Sequence, residues 1–269
     1  MNTERKGLSD PNRHAWRRLR QRYRARKALH RPLPWLGYAF VAVNLIALAL
    51  LVLDAPLAEG AARLSPVLID IARAITDIGR LHWLLFLTAL VLAVVFWMAA
   101  RDRDARRRFR LALAGYIAGY MTVTLLLASL AGQLLKFGIG RARPPLFGQY
   151  GLLGFEPFRG DFLFMSFPSG HATHLGAFFA AACFLLPKGR PLFLAAALWL
   201  AATRVIIGVH YPSDVTAGLA LGVWTALAVA YIFARCGLVF SIAPSGWPDL
   251  RLRHPFRRRR RAAGLVKKT

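Results

Sequence analysis

The sequence predicts an all-α membrane protein: a bundle of six transmembrane helices, with an amphipathic surface helix between the first two spans. Two observations support this class. The chain has 269 residues, of which 57% are hydrophobic, and its formal net charge is +25. Long uncharged segments alternate with clusters of arginine, whereas a soluble domain mixes charge into every surface element. Apolarity and basicity are therefore segregated along the chain, as in membrane proteins.

Six apolar segments are candidates for the spans, since a transmembrane helix needs about 20 mostly apolar residues. They are residues 35–53, 83–100, 111–135, 171–186, 192–209 and 215–234. The fourth is short and the fifth contains Arg204, so the ends of the spans are less clearly marked in the second half of the chain. The first segment lacks a small-x-small cleavage site, so we expect it to be retained rather than removed as a signal peptide.

Between the first two spans, apolar residues recur at steps of three and four from Leu64 to Ile78, and charged residues fill other positions. This period predicts an amphipathic helix. Such a helix either lies along the outer membrane surface or caps the bundle without touching lipid.

The basic residues predict the orientation, because short cytoplasmic segments carry an excess of Lys and Arg. With both termini in the cytoplasm, the inside segments hold 29 of the 37 basic residues; these segments are residues 1–34, 101–110, 187–191 and 235–269. We expect a basic segment at residues 1–34, a six-span domain at 35–235 and a basic tail at 236–269. The basic ends are expected to bind anionic inner-leaflet lipid rather than nucleic acid.

A first polar cluster, residues 136–144, follows the third span on the outer side. Lys136 and Arg143 lie where topology rules favour neutral residues, so they need an anionic partner. Arginine presents a planar fork and lysine a mobile point charge, which together suit an oxyanion. A lipid-headgroup anchor is the alternative, and Arg141 is interpreted as interfacial.

A second cluster, Ser169, Gly170 and His171, comes directly before the fourth span. A helix N-terminus presents free N–H groups and binds anions. Gly170 lets the backbone approach closely, Ser169 adds a hydroxyl, and His171 can carry a proton near neutral pH. His174, one turn later, is interpreted as packed or interfacial.

A third cluster contains Arg204, His210 and Asp214. An arginine within an apolar segment is costly without a partner, which favours a functional role. His210 precedes Asp214 by four residues, so the carboxylate could hold one imidazole nitrogen and leave the other free to attack. A structural His–Asp pair is the ordinary interpretation of this spacing alone, but three clusters on one membrane side favour a catalytic oxyanion site.

Together the clusters read K-x6-R-P from Lys136, P-S-G-H from Pro168 and R-x5-H-x3-D from Arg204. They resemble the three-part signature of the type-2 phosphatidic acid phosphatase (PAP2) superfamily. Thr203 stands where the third motif of that family usually has serine. The six-span layout extends the resemblance over residues 35–235, and the basic tails fall outside it.

The resemblance implies a membrane lipid phosphatase in which His210 attacks phosphorus to form a phosphohistidine. Asp214 would orient His210, and His171 would protonate the leaving oxygen. The phosphate oxygens would be held by Lys136, Arg143, Ser169, the Gly170 amide and Arg204. No metal or cofactor is implied. A nucleophilic His210 must be neutral while His171 is protonated, so opposed pKa values are predicted for the two.

The substrate stays open among undecaprenyl diphosphate, phosphatidylglycerophosphate, phosphatidate and the phosphates of lipid A, and the oligomeric state is not predicted. Residues 145–166 are expected to border the headgroup, on the periplasmic face of a bacterial inner membrane. A lipid phosphotransferase on the same fold and a non-hydrolytic transporter of anionic lipid are the alternatives. A vanadate-dependent haloperoxidase shares the oxyanion-binding residues, but those enzymes are soluble.

Overall fold

The computed structural model describes residues 16, 17, 19–24, 33–61, 64–77, 80–243 and 246–250. Most of the two predicted basic tails therefore lies outside the described residues. The chain divides into two compact units, a larger one of residues 34–230 and a smaller one of residues 1–33 and 231–269.

The described structure is mainly helical. The helices are α1 (Trp35–Leu48), α2 (Asp54–Ala61), α3 (Pro66–Thr76), α4 (Leu81–Arg101), α5 (Ala105–Ile139), α6 (Phe147–Tyr150), α7 (Gly170–Leu185), α8 (Arg190–Ile206) and α9 (Pro212–Cys236). A π-helical turn, Ala49–Leu53, joins α1 to α2. Short 3₁₀ turns occupy Pro144–Leu146, Phe162–Phe164 and Pro187–Gly189.

A helix covers most of each of the six segments that the sequence assigns to spans; the helix over the fourth ends at Leu185 and that over the fifth at Ile206, before the predicted ends at 186 and 209. Five helical stretches are long and apolar enough to cross a membrane, namely those that contain α1 with α2, α4, α5, α8 and α9. The remaining helix, α7, is apolar but has only 16 residues. The all-α membrane class is therefore confirmed, and the count of six spans stays a prediction.

The amphipathic helix between the first two spans is α3. It exposes Val67, Leu68 and Ile71, and it buries Ala72 and Thr76. It packs against α8. The helix is thus present with the expected two faces, while its position along the membrane surface stays a prediction.

Inside the larger unit, α5 packs against α4 and α7, and α7 packs against α8. Glycines also bring α7 and α9 into close contact. A Cβ at Gly176 would lie 2.6 Å from the Leu219 carbonyl oxygen, and a Cβ at Gly218 would lie 2.5 Å from that of Ser169. The start of α7 is therefore held directly against α9.

Gly140 ends the long helix α5 in the left-handed conformation, with φ +62°, and its N–H donates to the Lys136 carbonyl. A Cβ at this position would collide with the backbone of Glu156. Glycine is therefore needed both for the φ angle and for the close approach. This ending places Lys136 in the last turn of α5 and turns the chain into residues 141–143.

The smaller unit contains two short antiparallel strands, β1 (Phe240–Ile242) and β2 (Pro248–Leu250). In the same unit the Arg235 guanidinium lies 4.8 Å from the ring centroid of Tyr231 and 5.2 Å from that of Tyr23. The sequence predicts no strand here. Three-residue strands are too short to display the period-two pattern on which strand prediction depends.

Candidate active site

A cavity of about 620 Å³ lies among α3, α5, α7 and α8 and the loops that follow α5 and α8. Six of the eight predicted site residues line it: Lys136, Arg143, Gly170, His171, Arg204 and His210. The other two, Ser169 and Asp214, are fully buried and adjoin Gly170 and His210. His174, interpreted from the sequence as packed or interfacial, lines the same cavity. Residues from all three sequence clusters therefore meet in one place.

Two of the three cluster cations are fixed by main-chain carbonyl groups. Lys136 Nζ donates to the Met165 carbonyl at 3.0 Å, and a Cβ at Gly170 would lie 3.7 Å from this nitrogen. Arg143 donates to three carbonyl oxygens, those of Phe162, Met165 and Val209. These bonds leave one N–H on each terminal nitrogen of Arg143, and the nitrogen that donates to Val209 lies 3.5 Å from His210 Nε2. Burial lowers the pKa of Arg143 to about 10, so the group stays charged at neutral pH.

The third cation, Arg204, lies in the last turn of α8 and donates from one terminal nitrogen to the Thr76 hydroxyl at 3.2 Å. Its Nε is buried without a hydrogen-bond partner in the described structure. Arg204 thus links the α3 wall of the cavity to the other cluster residues.

His210 is buried beside Asp214, as its spacing suggests. Its Nδ1 lies 3.5 Å from Asp214 Oδ2, and its Nε2 lies 3.5 Å from an Arg143 terminal nitrogen. The carboxylate also accepts hydrogen bonds from the Ser166 hydroxyl and from the Tyr211 N–H. One ring nitrogen therefore faces Asp214, while the other faces the cations that line the cavity.

The environment of His210 favours the neutral imidazole. Burial lowers the pKa of His210 to about 3; Asp214 opposes this shift, and the positive charges of Arg143 and Lys136 add to it. A neutral imidazole has a lone pair available for attack.

His171 does not show the opposite shift, because burial and the nearby charges of Arg204 and His174 lower its pKa to about 3 as well, so the opposed pKa values predicted for the two histidines are not found. A phosphate anion beside His171 would raise its pKa again.

The N-terminus of α7 differs in one respect from the sequence-based expectation. The Ser169 N–H does not point to the cavity, because it donates to the main-chain carbonyl of Asp214 at 2.9 Å. The Ser169 hydroxyl, by contrast, is buried without a hydrogen-bond partner among the described residues. The first N–H groups of α7, at Gly170 and His171, have no acceptor within the helix.

Four buried polar atoms around the cavity lack a partner in the part of the chain that the structure describes. They are Ser169 Oγ, His171 Nε2, His174 Nδ1 and Arg204 Nε. Buried polar groups are normally hydrogen-bonded, so several unsatisfied atoms around one cationic cavity indicate a polar ligand. The surrounding positive charge indicates that this ligand is an anion.

The interpretation of Arg141 as interfacial is wrong. Its side chain is 2% exposed, and its terminal nitrogens pair with Asp214 at 2.6 Å and with Asp54 at 2.9 Å. Asp54 and Ser166 are further neighbours of the site that the sequence motifs do not include. Asp54 carries the one available signal, a carboxylate at the end of an apolar segment. Its partner is 87 residues away, so spacing could not reveal the pair.

The wall that borders a headgroup also differs from the expectation. Of the described residues in segment 145–166, only Phe162 lines the cavity. The region of α3 and the start of α4 contributes four residues: Arg73, Thr76, Asp77 and Arg80. The amphipathic helix is therefore a larger part of the cavity wall than the loop.

Known proteins resemble this chain in sequence over most of its length. The profile of the PAP2 superfamily matches residues 117–237. A lipid A 1-phosphatase of Rhizobium johnstonii is 41% identical over 237 residues, which are 87% of this chain and 95% of that protein. The chain belongs to the PAP2 superfamily. A lipid A 1-phosphatase of Rhizobium etli is 42% identical over 221 residues, 81% of this chain and 93% of that protein.

A PAP2-type phosphatidylglycerolphosphate phosphatase of Bacillus subtilis, known from a crystal structure, is similar at 21% identity with a TM-score of 0.47. The similarity covers 72% of this chain and 91% of that chain. The resemblance to the PAP2 superfamily and the prediction of a phosphatase are confirmed by the family match and the Rhizobium relatives. This PAP2 protein is a multi-pass membrane phosphatase.

Proposed function

We propose that this PAP2 protein hydrolyses the phosphate ester of a membrane lipid through a phosphohistidine on His210. The observation that carries the proposal is the cavity itself. It joins three cations, of which Lys136 and Arg143 are buried, and four unsatisfied polar atoms to a neutral imidazole whose orientation Asp214 sets. Such fixed donors stabilise the charge that develops on the phosphoryl oxygens during transfer.

In the first step, the lone pair of His210 Nε2 forms a bond to phosphorus, and the bond from phosphorus to the lipid oxygen breaks. His171 gives its proton to that oxygen, and the lipid alcohol leaves. In the second step, a water molecule attacks phosphorus, the N–P bond breaks and the water proton returns to His171. Both Asp214 and the Nδ1 proton of His210 stay in place throughout, so the imidazole keeps one orientation.

The oxyanion is held by the groups that the sequence motifs supply. Lys136, Arg143 and Arg204 balance its charge, and the Ser169 hydroxyl and the Gly170 amide donate hydrogen bonds. Arg143 is suited to this role because three carbonyl groups fix its plane before the substrate binds. No step of this mechanism uses a metal ion.

We assign the substrate to the lipid A class, with cleavage of the 1-phosphate. The relatives named lipid A 1-phosphatase match this chain over nearly their whole length, at 41% and 42% identity. We also place the site on the periplasmic face of a bacterial inner membrane, with both termini in the cytoplasm. This orientation follows from the distribution of Lys and Arg.

Phosphate release from a panel of lipid phosphates by the detergent-purified protein tests the proposal. The panel contains lipid A, phosphatidylglycerophosphate, phosphatidate and undecaprenyl diphosphate, and mass spectrometry identifies which phosphate of lipid A is lost. We expect release of the lipid A 1-phosphate that survives EDTA and is blocked by vanadate. Activity that disappears with EDTA would contradict the metal-independent mechanism.

The variant His210→Ala should lose at least about 10³-fold in kcat, because the covalent path is removed. His82→Ala is the matched control, since His82 lies outside the residues that line the cavity. Equal losses in both variants would contradict a nucleophilic role for His210.

A further inference from the structure

A network of buried charged and polar side chains lies on the side of His210 that faces away from the cavity. Its members are Asp54, Arg141, Ser213 and Asp214, whose exposed fractions are 0%, 2%, 1% and 0%. Asp54, Arg141 and Ser213 are absent from the residues that line the cavity, so they do not contact a bound phosphate. We call these four residues the Asp54 network.

Arg141 is the centre of this network. One terminal nitrogen donates to Asp214 Oδ1 at 2.6 Å and to Ser213 Oγ at 2.7 Å. The other donates to Asp54 Oδ2 at 2.9 Å and to the Leu152 carbonyl at 3.1 Å. Two carboxylates are therefore held in fixed positions by one planar guanidinium.

Asp54 in turn fixes the start of α9. Its Oδ1 accepts the Ser213 N–H at 2.9 Å, and its Oδ2 accepts the Ser213 hydroxyl. Ser213 immediately precedes Asp214 in the chain. The side chain of Asp54 therefore acts on Asp214 by two routes, through Arg141 and through the backbone.

The orientation of the Asp214 carboxylate follows from these contacts. Arg141 binds Oδ1, while Oδ2 accepts from the Ser166 hydroxyl and the Tyr211 N–H and faces Nδ1 of His210. Without Arg141 the Oδ1 atom would lose its charged donor, the plane of the carboxylate would be less firmly held, and the direction of His210 Nε2 would then be less well defined. A change of about 1 Å in the position of a reacting group can cost 10²-fold in rate.

The net charge of the Asp54 network also affects the phosphorylated form of His210. Two carboxylates share one guanidinium, so the network carries a formal charge of −1 beside His210. Phosphorylated His210 with a proton on Nδ1 is a cation within its ring, and this residual negative charge stabilises it. Without the charge of Asp54, Arg141 would neutralise Asp214, and the stabilisation would be lost.

The position of Asp54 supports a functional role. It lies within an apolar helical stretch, directly after the π-helical turn Ala49–Leu53. Charged residues inside membrane helices and single π-helical turns are both associated with functional sites. A buried ion pair, by contrast, contributes little net stability compared with apolar packing of the same volume.

We propose that Asp54 and Arg141 are positioning residues for the nucleophile, acting on His210 through Asp214. This inference rests on the proposed function, because it assumes that His210 attacks phosphorus. It adds α2, the end of the first long helical stretch, to the machinery of the site, although none of the three sequence motifs includes that helix.

The test compares Asp54→Asn with Glu59→Gln, which also neutralises a carboxylate in α2 but at an exposed position. In Asp54→Asn we expect kcat for lipid phosphate to fall about 10- to 100-fold. KM and the concentration of vanadate that halves activity should stay within about threefold, because the cavity cations are unchanged. A purely structural role would instead lower the amount of folded enzyme and leave the kcat of the folded fraction unchanged.

A milder variant, Ser213→Ala, keeps the Ser213 N–H bond to Asp54 and removes one hydroxyl from the network. We expect it to fold and to lose kcat severalfold with KM unchanged. Arg141→Lys, which keeps the charge but removes the planar fork, should lose kcat as Asp54→Asn does. The inference is overturned if Ser213→Ala, or any of the other variants that folds, keeps wild-type kcat. If the wild-type protein itself releases no phosphate, the proposed function fails instead.

Discussion

At the scale of single residues, burial decides the protonation state of His210. The side chain is surrounded by protein, and two cations lie close to it, so its pKa falls to about 3. The usual value in an unfolded chain is about 6.5. His210 is thus neutral in the folded protein at every pH above about 4, which suits a nucleophile but costs stability in acid.

The lowered pKa of His210 makes the stability of the folded protein depend on pH. Between pH 6.5 and pH 3 the unfolded chain binds a proton at position 210 and the folded protein does not, so stability falls as the pH is lowered. From pH 7 to pH 5 the loss from this group is about 2 kcal/mol. We expect the apparent Tm of the wild-type protein in detergent to fall more between these pH values than that of His210→Gln. The matched control His82→Gln should keep the wild-type difference, and equal differences in all three proteins would contradict a buried neutral His210.

The sequence predicts the site residues that belong to short motifs. It does not predict the buried residues that connect these motifs to one another in the fold. Lys136, His171 and His210 are recognisable because their chemistry and their side of the membrane agree. Asp54 and Arg141 pair across 87 residues, so neither spacing nor periodicity relates them. Arg141 was misinterpreted because an arginine near a membrane surface has an ordinary explanation, and its buried partners are visible only in the fold.

At the scale of elements, the contact between α7 and α9 determines the position of the site. Gly176, Gly218 and Gly222 lie in this contact, and a side chain at any of them would collide with the backbone of the facing helix. The carbonyl of Ser169, next to the cavity, is one of the atoms in contact. The separation of these two helices therefore sets the distance between the second and third motifs.

Gly222→Ala should destabilise the protein, because the new Cβ would meet backbone atoms of Thr173 and Ala177 that cannot move independently. Overpacking of this kind costs about 1 to 3 kcal/mol. Gly119→Ala is the matched control, since a Cβ at Gly119 meets nothing within 4 Å and alanine favours the helix. We expect a lower apparent Tm and lower activity in Gly222→Ala and no loss in Gly119→Ala. Similar Tm values for the two variants would contradict the tight contact between α7 and α9.

The helices were predictable because apolar length is a strong signal. The two faces of α3 followed equally well from the period of its apolar residues. The contribution of α3 to the cavity wall could not be predicted from the sequence, because Thr76 and Arg204 meet only after α3 packs against α8. The strands β1 and β2 gave no signal, since each has only three residues.

At the scale of the whole molecule, the distribution of charge and the position of the cavity together predict how the protein is oriented in the membrane. The basic segments predict that both termini lie on one side of the membrane. The cavity residues lie at the ends of α5 and α8 that are farthest from the basic segments at the starts of these helices. The substrate headgroup and the basic tails are therefore expected on opposite faces of the membrane.

Fusions to a topology reporter test this arrangement. A reporter fused after Ala234 should behave as cytoplasmic, and a reporter inserted within residues 145–165 should behave as periplasmic. Paired reporters that are active on opposite sides, such as alkaline phosphatase and green fluorescent protein, make the two results complementary. Cytoplasmic behaviour at both positions would place the cavity on the wrong face for the proposed site.

The most direct test of the whole account is to trap the covalent intermediate. Enzyme and a lipid substrate labelled with ³²P are mixed, quenched in alkali within milliseconds and digested, because phosphohistidine survives in base. We predict label on the peptide that contains His210, which is lost on chase with unlabelled substrate and absent from His210→Ala. Label on a different residue, or rapid phosphate release without any labelled protein, would contradict the account.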